Sequence, residues 1–512
     1  MKKRSQEYKP LLFTTTLRNP ERLKWFLGVL KNYNGNVLSN ELAEEVAGEL
    51  IRVGLYRPMK LASAVKSKIK SNIPLTDKEV ATALKNNPQN HKEAGFNKGW
   101  PSRFDTWFKI AKELGFVFYK MGEKINFSEI GLKLVDSEHP EFEQQAFLNA
   151  FVKYQSNNPF RRVLNENVPL ILLLEVIQYL NDDKDFNDAG ISKAEIPLVI
   201  FWKDNNAKKL YQRIKKMRKD FGYSPSWEVV VDICRTEIMQ GKDIVRDDKS
   251  IMVDYPDEFI RKMRLTGLIS LRGGGRFVDI NKNEQAKVDY VIKTYSKYTK
   301  FATEEKYFEY ISAEDNNLFS VIAKKITLAE QDEYLKKWVG VYSWNTIRIE
   351  LLNLSTKHLT KDEILKYLSN PVRLEFLTAL AVKSKFPNIN VIPNYPVDDE
   401  GIPTSTAGGV GNTGDIECYE NLNGILIEVT MSEGRTQTMM EVWPISRHLQ
   451  EFAKKAKNSM CYFVAPSIFS DSLKQIEYVK QTENISIYPK TIEQFLEHLD
   501  RNSELYLSAQ DL

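Results

Sequence analysis

The spacing of apolar and polar residues divides the chain into helical stretches interrupted by short alternating runs. Thr76-Asp77-Lys78-Glu79 followed by apolar positions through Leu84 predicts a helix opened by a capping box. A second helix is expected over 101–114, with Pro101 in its first turn and Gly115 just past its end. The pattern then alternates: FVFYKMGEKINFSEIG (116–131) reads as two short strands around Met121-Gly122-Glu123. Helix, helix, short hairpin is the order of a winged helix-turn-helix. DEFIRKMRLTGLISLRGGGRFVDI (257–280) has a similar design, a helix stopping at Gly267 and two strands flanking Gly273-Gly274-Gly275, with Arg272 and Arg276 at the turn. From Asn283 to about Asn353 the pattern is helical and charged, with Tyr290, Tyr295, Tyr307 and Trp338 interspersed, and predicts a helical connector. Thr360-Lys361-Asp362-Glu363 predicts another capping box, opening a short helix that ends near Asn370; Asn370-Pro371 begins the next.

Beyond Pro371 the periods switch repeatedly. A helix (PVRLEFLTALAVKSKF) precedes a strand near NINVIPNY, a Pro/Gly-rich loop from Pro396 to Gly411, and the strands GDIECYE and GILIEVTM. A helix opened by Pro444 follows, then the strand CYFVAP, the helix DSLKQIEYVKQ, the short strand ISIYP and the helix TIEQFLEHLD. This order predicts a mixed sheet with helices packed on it. At 512 residues the chain exceeds one compact core, so several domains are expected.

Hydrophobic content of 42% and charged content of 27% fit a globular protein, and no window approaches the ~18 apolar residues of a membrane span. The basic N-terminus has an apolar part of only Leu11 to Phe13, too short for a signal-peptide core, so a cytoplasmic (bacterial) protein is expected. Cys234, Cys418 and Cys461 are widely spaced, which excludes a disulfide framework and a thiolate zinc site. Any metal would then be held by carboxylates, pointing to a hard ion such as Mg²⁺.

The net charge of +4 is mild, but KDNNAKKLYQRIKKMRKDFGY (203–223) concentrates Lys208, Lys209, Arg213, Lys215, Lys216, Arg218 and Lys219 on one expected helix. Such a run is either a solvated face or a phosphate-binding surface. Beside two winged-helix-like segments, the second reading gains weight. Arg103, Lys109 and Lys112 would face DNA from the 101–114 helix, Lys208, Lys209 and Arg213 from the basic one, and Arg272 and Arg276 from the second wing.

The chemistry concentrates at TGDIECYENLNGILIEVTMSEG (413–434). The midpoint between Asp415 and Glu428 falls between Asn421 and Leu422, so a tight turn centred there makes the two acids direct cross-strand partners, with β-carbons ~5 Å apart. Like charges at that separation repel unless a cation lies between them, and the Val429 carbonyl is adjacent as a further ligand. The plain alternative is a surface hairpin with solvated acids. Glu375 lies inside an apolar helical stretch, either in the site or paired with a base such as Arg373. Glu441, just before Pro444, is a candidate extra acid, and His448 a candidate proton carrier or a structural histidine.

These stretches resemble a known family. PLLFTTTLRNPERLKWFLGVLKNYNG, VRLEFLTALA, GDIECYE and ILIEVTMSEGRTQTMMEVWPISRHL are similar to the AlwI-like type IIS restriction and nicking endonucleases, within the PD-(D/E)xK superfamily. The resemblance implies a multidomain α+β protein: winged-helix-type recognition subdomains at 1–140 and 141–282, a helical linker at 283–355, and a PD-(D/E)xK-like α/β nuclease domain at 356–512. It implies a type II site-specific deoxyribonuclease acting on double-stranded DNA with one or two Mg²⁺ ions. Asp415 and Glu428 match its metal-binding acids, Val429 its backbone ligand, and Glu375, Glu441 and His448 further active-site positions. It also implies that Glu-Val-Thr is the usual form in the family, so Thr430, where many nuclease sites carry lysine, is a variant rather than a lesion. One acid cluster per chain cuts one strand; a double-strand break needs a homodimer or a second nuclease subunit, and an unpaired chain would nick. The competing readings are a DNA-binding regulator with an inert nuclease-like domain and a Mg²⁺-dependent RNA nuclease.

Overall fold

The structure, a computed structural model, describes residues 6–11, 14–17, 20–71, 73–136, 139–186, 190–242, 247–408, 413–456 and 458–506. Parts of the TTTLRNPER stretch and of the 396–411 loop lie outside them. The chain forms two compact units, one built mainly from residues 1–324 and the other mainly from 325–512.

In the first unit, Thr76 caps the helix Asp77–Asn86 through the expected box: its hydroxyl receives the Glu79 N–H and the Glu79 carboxylate receives the Thr76 N–H. The helix Trp100–Glu113 leads into a two-residue-stranded hairpin, Val117–Phe118 with Asn126–Phe127. That helix is the centre of its subdomain. Trp100, Phe104, Trp107, Phe108, Ile110 and Ala111 are buried, and it packs against the helix Asn40–Arg52. The second hairpin, Ile269–Arg272 with Phe277–Ile280, also forms, but it gains a third strand: Ile191–Ser192 pairs with Phe277–Ile280, which becomes the central strand. Gly273, Gly274 and Gly275 all adopt left-handed backbone there, where a side chain would strain.

The expected connector 283–355 is helical, but its helices divide between the units. Gln285–Tyr295, Glu304–Ser312 and Asn316–Ser320 lie in the first unit. The helices α1 (Leu328–Val341) and α2 (Trp344–Thr356) lie in the second. Buried Lys383 pairs with Asp332 of α1, tying α1 to the helix α3 (Asn370–Lys385). The Thr360 capping box does not form. Asp362 accepts the Ile364 and Leu365 N–H groups instead, and only a 3₁₀ turn, Leu365–Tyr367, results.

The second unit is built on a five-stranded mixed sheet. Its strands are β1 (Asn390–Pro393), β2 (Ile416–Glu420), β3 (Asn423–Val429), β4 (Asn458–Ala465) and β5 (Ile487–Thr491), in the spatial order 5-4-3-2-1. β1 and β2, and β2 and β3, pair antiparallel; β3 and β4, and β4 and β5, pair parallel. Central β3 is apolar on both sides: Ile425, Leu426 and Ile427 are all fully buried. Leu426, Cys461 and Phe463 pack with Val442, Ile445, Leu449 and Phe452 of α5 (Val442–Phe452) and with Ile476 and Val479 of α6 (Ser470–Glu483). Each such fully buried side chain contributes roughly 1.5–3 kcal/mol. Helix α4 (Arg435–Met440) precedes α5 and was not visible in the apolar pattern; α5 itself starts two residues before Pro444. The last helix, α7 (Ile492–Arg501), opens with a Thr491–Gln494 capping box.

Candidate active site

The site grows from the β2–β3 hairpin. Glu420 pairs with Asn423 and Ile416 with Ile427, leaving Asn421 and Leu422 as a two-residue turn, with Asn421 in left-handed conformation. The same register carried one step further sets Asp415 opposite Glu428, as the symmetry of the sequence predicts. Burial raises both carboxyls, and the negative charge of Glu428 raises Asp415 further. Asp415 Oδ2 accepts the Val429 N–H at 2.8 Å, which turns this carboxylate toward the end of β3. Gly414 has no room for a side chain, since a β-carbon would stand 2.3 Å from Glu428 Oε1.

Three further groups converge. Glu375, from the middle of α3, is buried and accepts the Ala407 N–H at 2.8 Å. It pairs with no base among the described residues; neighbouring Arg373 reaches Asn370. His448, one turn and a half into α5, holds Glu428 Oε1 through Nδ1 at 2.8 Å. Glu441 immediately precedes α5; its Oε1 accepts both the Thr430 hydroxyl at 2.8 Å and the Ser432 hydroxyl at 2.7 Å. Among the described residues no lysine or arginine forms an ion pair with Glu375, Asp415, Glu428 or Glu441. Glu417, two residues along β2 from Asp415, is neutralised by Lys455 and stays out of the cluster.

The electrostatics follow from this crowding. Burial first, then the charge of Asp415, holds the Glu375 carboxyl well above the usual range. Asp415 is raised by burial and by Glu428, and Glu428 by burial and by Glu441. Glu375, Asp415 and Glu428 therefore titrate as interacting acids rather than independently. Burial, with Arg447 next, lowers His448, so the imidazole is neutral near pH 7. No three His, Cys, Asp or Glu side chains among the described residues stand ready-made as a metal cluster. The two facing carboxyls and the adjacent Val429 carbonyl are all hard oxygen donors.

In the first unit the basic residues separate into free and engaged groups. On the helix Trp100–Glu113, Arg103, Thr106, Lys109 and Lys112 are the half-exposed positions, three residues apart. The Arg103 guanidinium lies over the Tyr56 and Trp107 rings and bonds His91 and Thr16. Lys112 lies over Tyr119 and Phe160. Lys109 has no hydrogen-bond or ion-pair partner among the described residues. On the helix Ala207–Phe221, Lys208 and Lys209 are exposed and unpaired among the described residues. Arg213 is held by both oxygens of Glu237, and Arg218, buried, by Glu195. Arg272 is not an open clamp: its guanidinium is bound to fully buried Asp279 at 2.5 Å and to the Ile280 carbonyl. Arg276 is exposed, and its side chain bonds the Gly273 carbonyl at 3.1 Å.

The residues that the sequence did not point to are Ala407, Ser432 and Gln437, whereas Thr430 was marked as the residue standing where lysine is common.

No curated protein matches the chain. Among solved structures it is similar to the small subunit (R.BspD6I2) of the heterodimeric restriction endonuclease R.BspD6I, at 26% identity over 31% of this chain and 81% of that one, with a TM-score of 0.26. It is also similar to the BpuJ1 endonuclease binding domain in complex with modified DNA, at 12% identity, 60% and 97% coverage and a TM-score of 0.35. Restriction endonuclease FokI matches at 12% identity over 99% of this chain and 97% of its own, with a TM-score of 0.23. The family model for the AlwI restriction endonuclease matches residues 112–331 and 313–498, which together take in most of the chain, parts of both units and every acid of the cluster. The chain belongs to the AlwI restriction endonuclease family.

Proposed function

We propose that the protein is a Mg²⁺-dependent, type IIS-like endonuclease that recognises a short asymmetric site in double-stranded DNA and hydrolyses a phosphodiester outside it. The observation that carries this reading is the meeting of Asp415, Glu428, Glu375 and Glu441 without a basic partner among the described residues. Such a concentration of anions is costly in the folded chain alone, and a hard cation offsets it. Family membership and the shared helix–sheet placement of the acids favour a PD-(D/E)xK-type centre over an inert domain, which has no use for unneutralised buried acids.

Asp415, Glu428 and the Val429 carbonyl would hold the ion. When bound, Mg²⁺ supplies Lewis acidity toward a phosphate oxygen and toward the attacking water. The chain's own groups do the positioning. The Val429 N–H fixes Asp415, and the His448 Nδ1–H fixes Glu428. Neutral His448 is able to take up a proton at its second nitrogen. Glu375, kept largely protonated by burial and by its neighbours, is able to give one. In the first unit Lys109, Lys208, Lys209 and Arg276 supply phosphate contacts, with Arg103 and Lys112 set on the same stripe as Lys109.

The test is supercoiled plasmid carrying varied sites, incubated with Mg²⁺ or EDTA. Cutting at one site in Mg²⁺ alone, lost in Asp415→Ala and Glu428→Ala while DNA binding persists, supports the reading. Open circle as the end product identifies a strand-specific nickase, and linear product a paired enzyme. Equal cutting by either variant, or in EDTA, refutes it.

A further inference from the structure

We propose that Thr430 and Ser432 form a two-hydroxyl clasp that positions Glu441 as a working member of the acid cluster, so that a clasped carboxylate occupies the role left by the absent lysine. This rests on the nuclease reading above and goes beyond it in assigning Thr430 and Ser432 as positioning residues.

Both hydroxyls donate to one oxygen, Glu441 Oε1, while the Thr430 hydroxyl accepts the Ser432 N–H at 2.9 Å. The three groups thus form a closed ring of hydrogen bonds with every donor directed. Each hydroxyl is held from a different side. Thr430 is fixed to the sheet, its N–H donating to the Val464 carbonyl at 3.0 Å and extending the β3–β4 ladder by one residue. Ser432 is fixed by Gln437, a fully buried residue of α4. Gln437 Nε2 donates to the carbonyls of Ser432 and Ser467, and its Oε1 accepts the Phe469 N–H. The loop after β3 is thereby riveted to the loop after β4.

The clasp leaves Glu441 Oε2 without a hydrogen-bond partner among the described residues. The charge of Glu441 acts on Asp415, Glu428 and His448 together, which places its carboxylate at the cluster. A glutamate side chain held at one oxygen presents the other in a fixed direction; released, it has three torsions in which to swing away. A lysine at position 430 would donate into the site directly. Threonine recruits a carboxylate from the next helix and adds an anion instead of a cation, so the clasped site draws a divalent cation more strongly.

The experiment compares wild type, Thr430→Val/Ser432→Ala, Thr430→Ser and Asp415→Ala. Single-turnover plasmid cleavage, DNA binding in EDTA, and the rise in unfolding temperature caused by Ca²⁺ are measured on the full chain. The double variant is expected to cleave about ten-fold or more slowly, as loss of charge-assisted bonds predicts, to bind DNA as wild type does, and to show a smaller Ca²⁺-induced rise. Thr430→Ser keeps the hydroxyl and should cleave like wild type. The clasp is overturned if the double variant cleaves at the parental rate, if its Ca²⁺ response is unaltered, or if Thr430→Ser fails as badly. Ser432→Ala alone serves where the double variant does not fold. Asp415→Ala separates the two levels: if it still cleaves, the nuclease assignment fails; if it is dead while the double variant is fully active, only the clasp fails.

Discussion

Replacing Asp415 by asparagine removes one charge from a facing pair while keeping the acceptor for the Val429 N–H. Opposed β-carbons lie ~5 Å apart, and two unit charges at that distance repel by roughly 3 kcal/mol at an effective dielectric of about 20. Protonation favoured by burial already relieves part of this near neutrality, so a net gain of about 1–2 kcal/mol is expected in cation-free buffer. For a unit of this size that corresponds to roughly 2–8 °C in the unfolding midpoint. The pH dependence has a definite sign. Glu375, Asp415 and Glu428 all titrate above the ordinary carboxylate range. Between that range and their raised values the folded chain binds more protons than the unfolded one, so wild-type stability falls as pH rises. Asp415→Asn should flatten that fall, its advantage being larger at pH 9 than at pH 5. Differential scanning calorimetry in EDTA, repeated with Mg²⁺, measures both effects; Mg²⁺ should raise the wild-type midpoint and leave the variant nearly unmoved. An asparagine variant no more stable than wild type at high pH, or equally stabilised by Mg²⁺, would rule out a repulsive acid pair at this position.

Other substitutions probe the remaining parts. Gly414→Ala should depress cleavage without loss of DNA binding, because the new β-carbon meets Glu428 Oε1 at 2.3 Å; full activity in the plasmid assay would remove Glu428 from the chemistry. His448→Ala should slow single-turnover cleavage by about 10²-fold or more, as loss of a proton carrier predicts, and parental kinetics would make it structural. Lys208→Ala with Lys209→Ala should reduce the salt dependence of DNA binding by about 0.9 for each phosphate these lysines neutralise, whereas an unaltered slope excludes that face. Arg272→Ala should lower the unfolding midpoint by leaving Asp279 buried and unpaired, with no change in salt slope. A lowered slope without destabilisation would restore the wing to the interface.

The contrast between Lys208 and Arg272 shows how far the sequence was legible. Local patterns survived: the Thr76 box, the Pro-initiated helices and the β2–β3 turn depend on neighbours a few residues apart. The Asp415–Glu428 register was readable because a two-residue turn makes pairing a matter of counting. The Thr360 box failed because Asp362 caps the following turn instead, taking the Ile364 and Leu365 N–H groups while its own N–H goes to the Thr360 hydroxyl. What basic residues do could not be read, because their partners are set by the fold: Asp279 reaches Arg272 only once the hairpin closes, and Glu195 lies in another element from Arg218. The Ser432–Gln437–Phe469 bridge was hidden for the same reason. Buried Glu375 was a fair signal, since an acid amid apolar neighbours demands a partner, but its position beside Asp415 required the folded sheet.

The most direct measurement is the anomalous difference map of a crystal soaked in Mn²⁺ as a stand-in for Mg²⁺. The account predicts a peak contacting the carboxylates of Asp415 and Glu428 and the carbonyl of Val429. A well-ordered cleavage unit with no peak there, or with its peak on other residues, would contradict it.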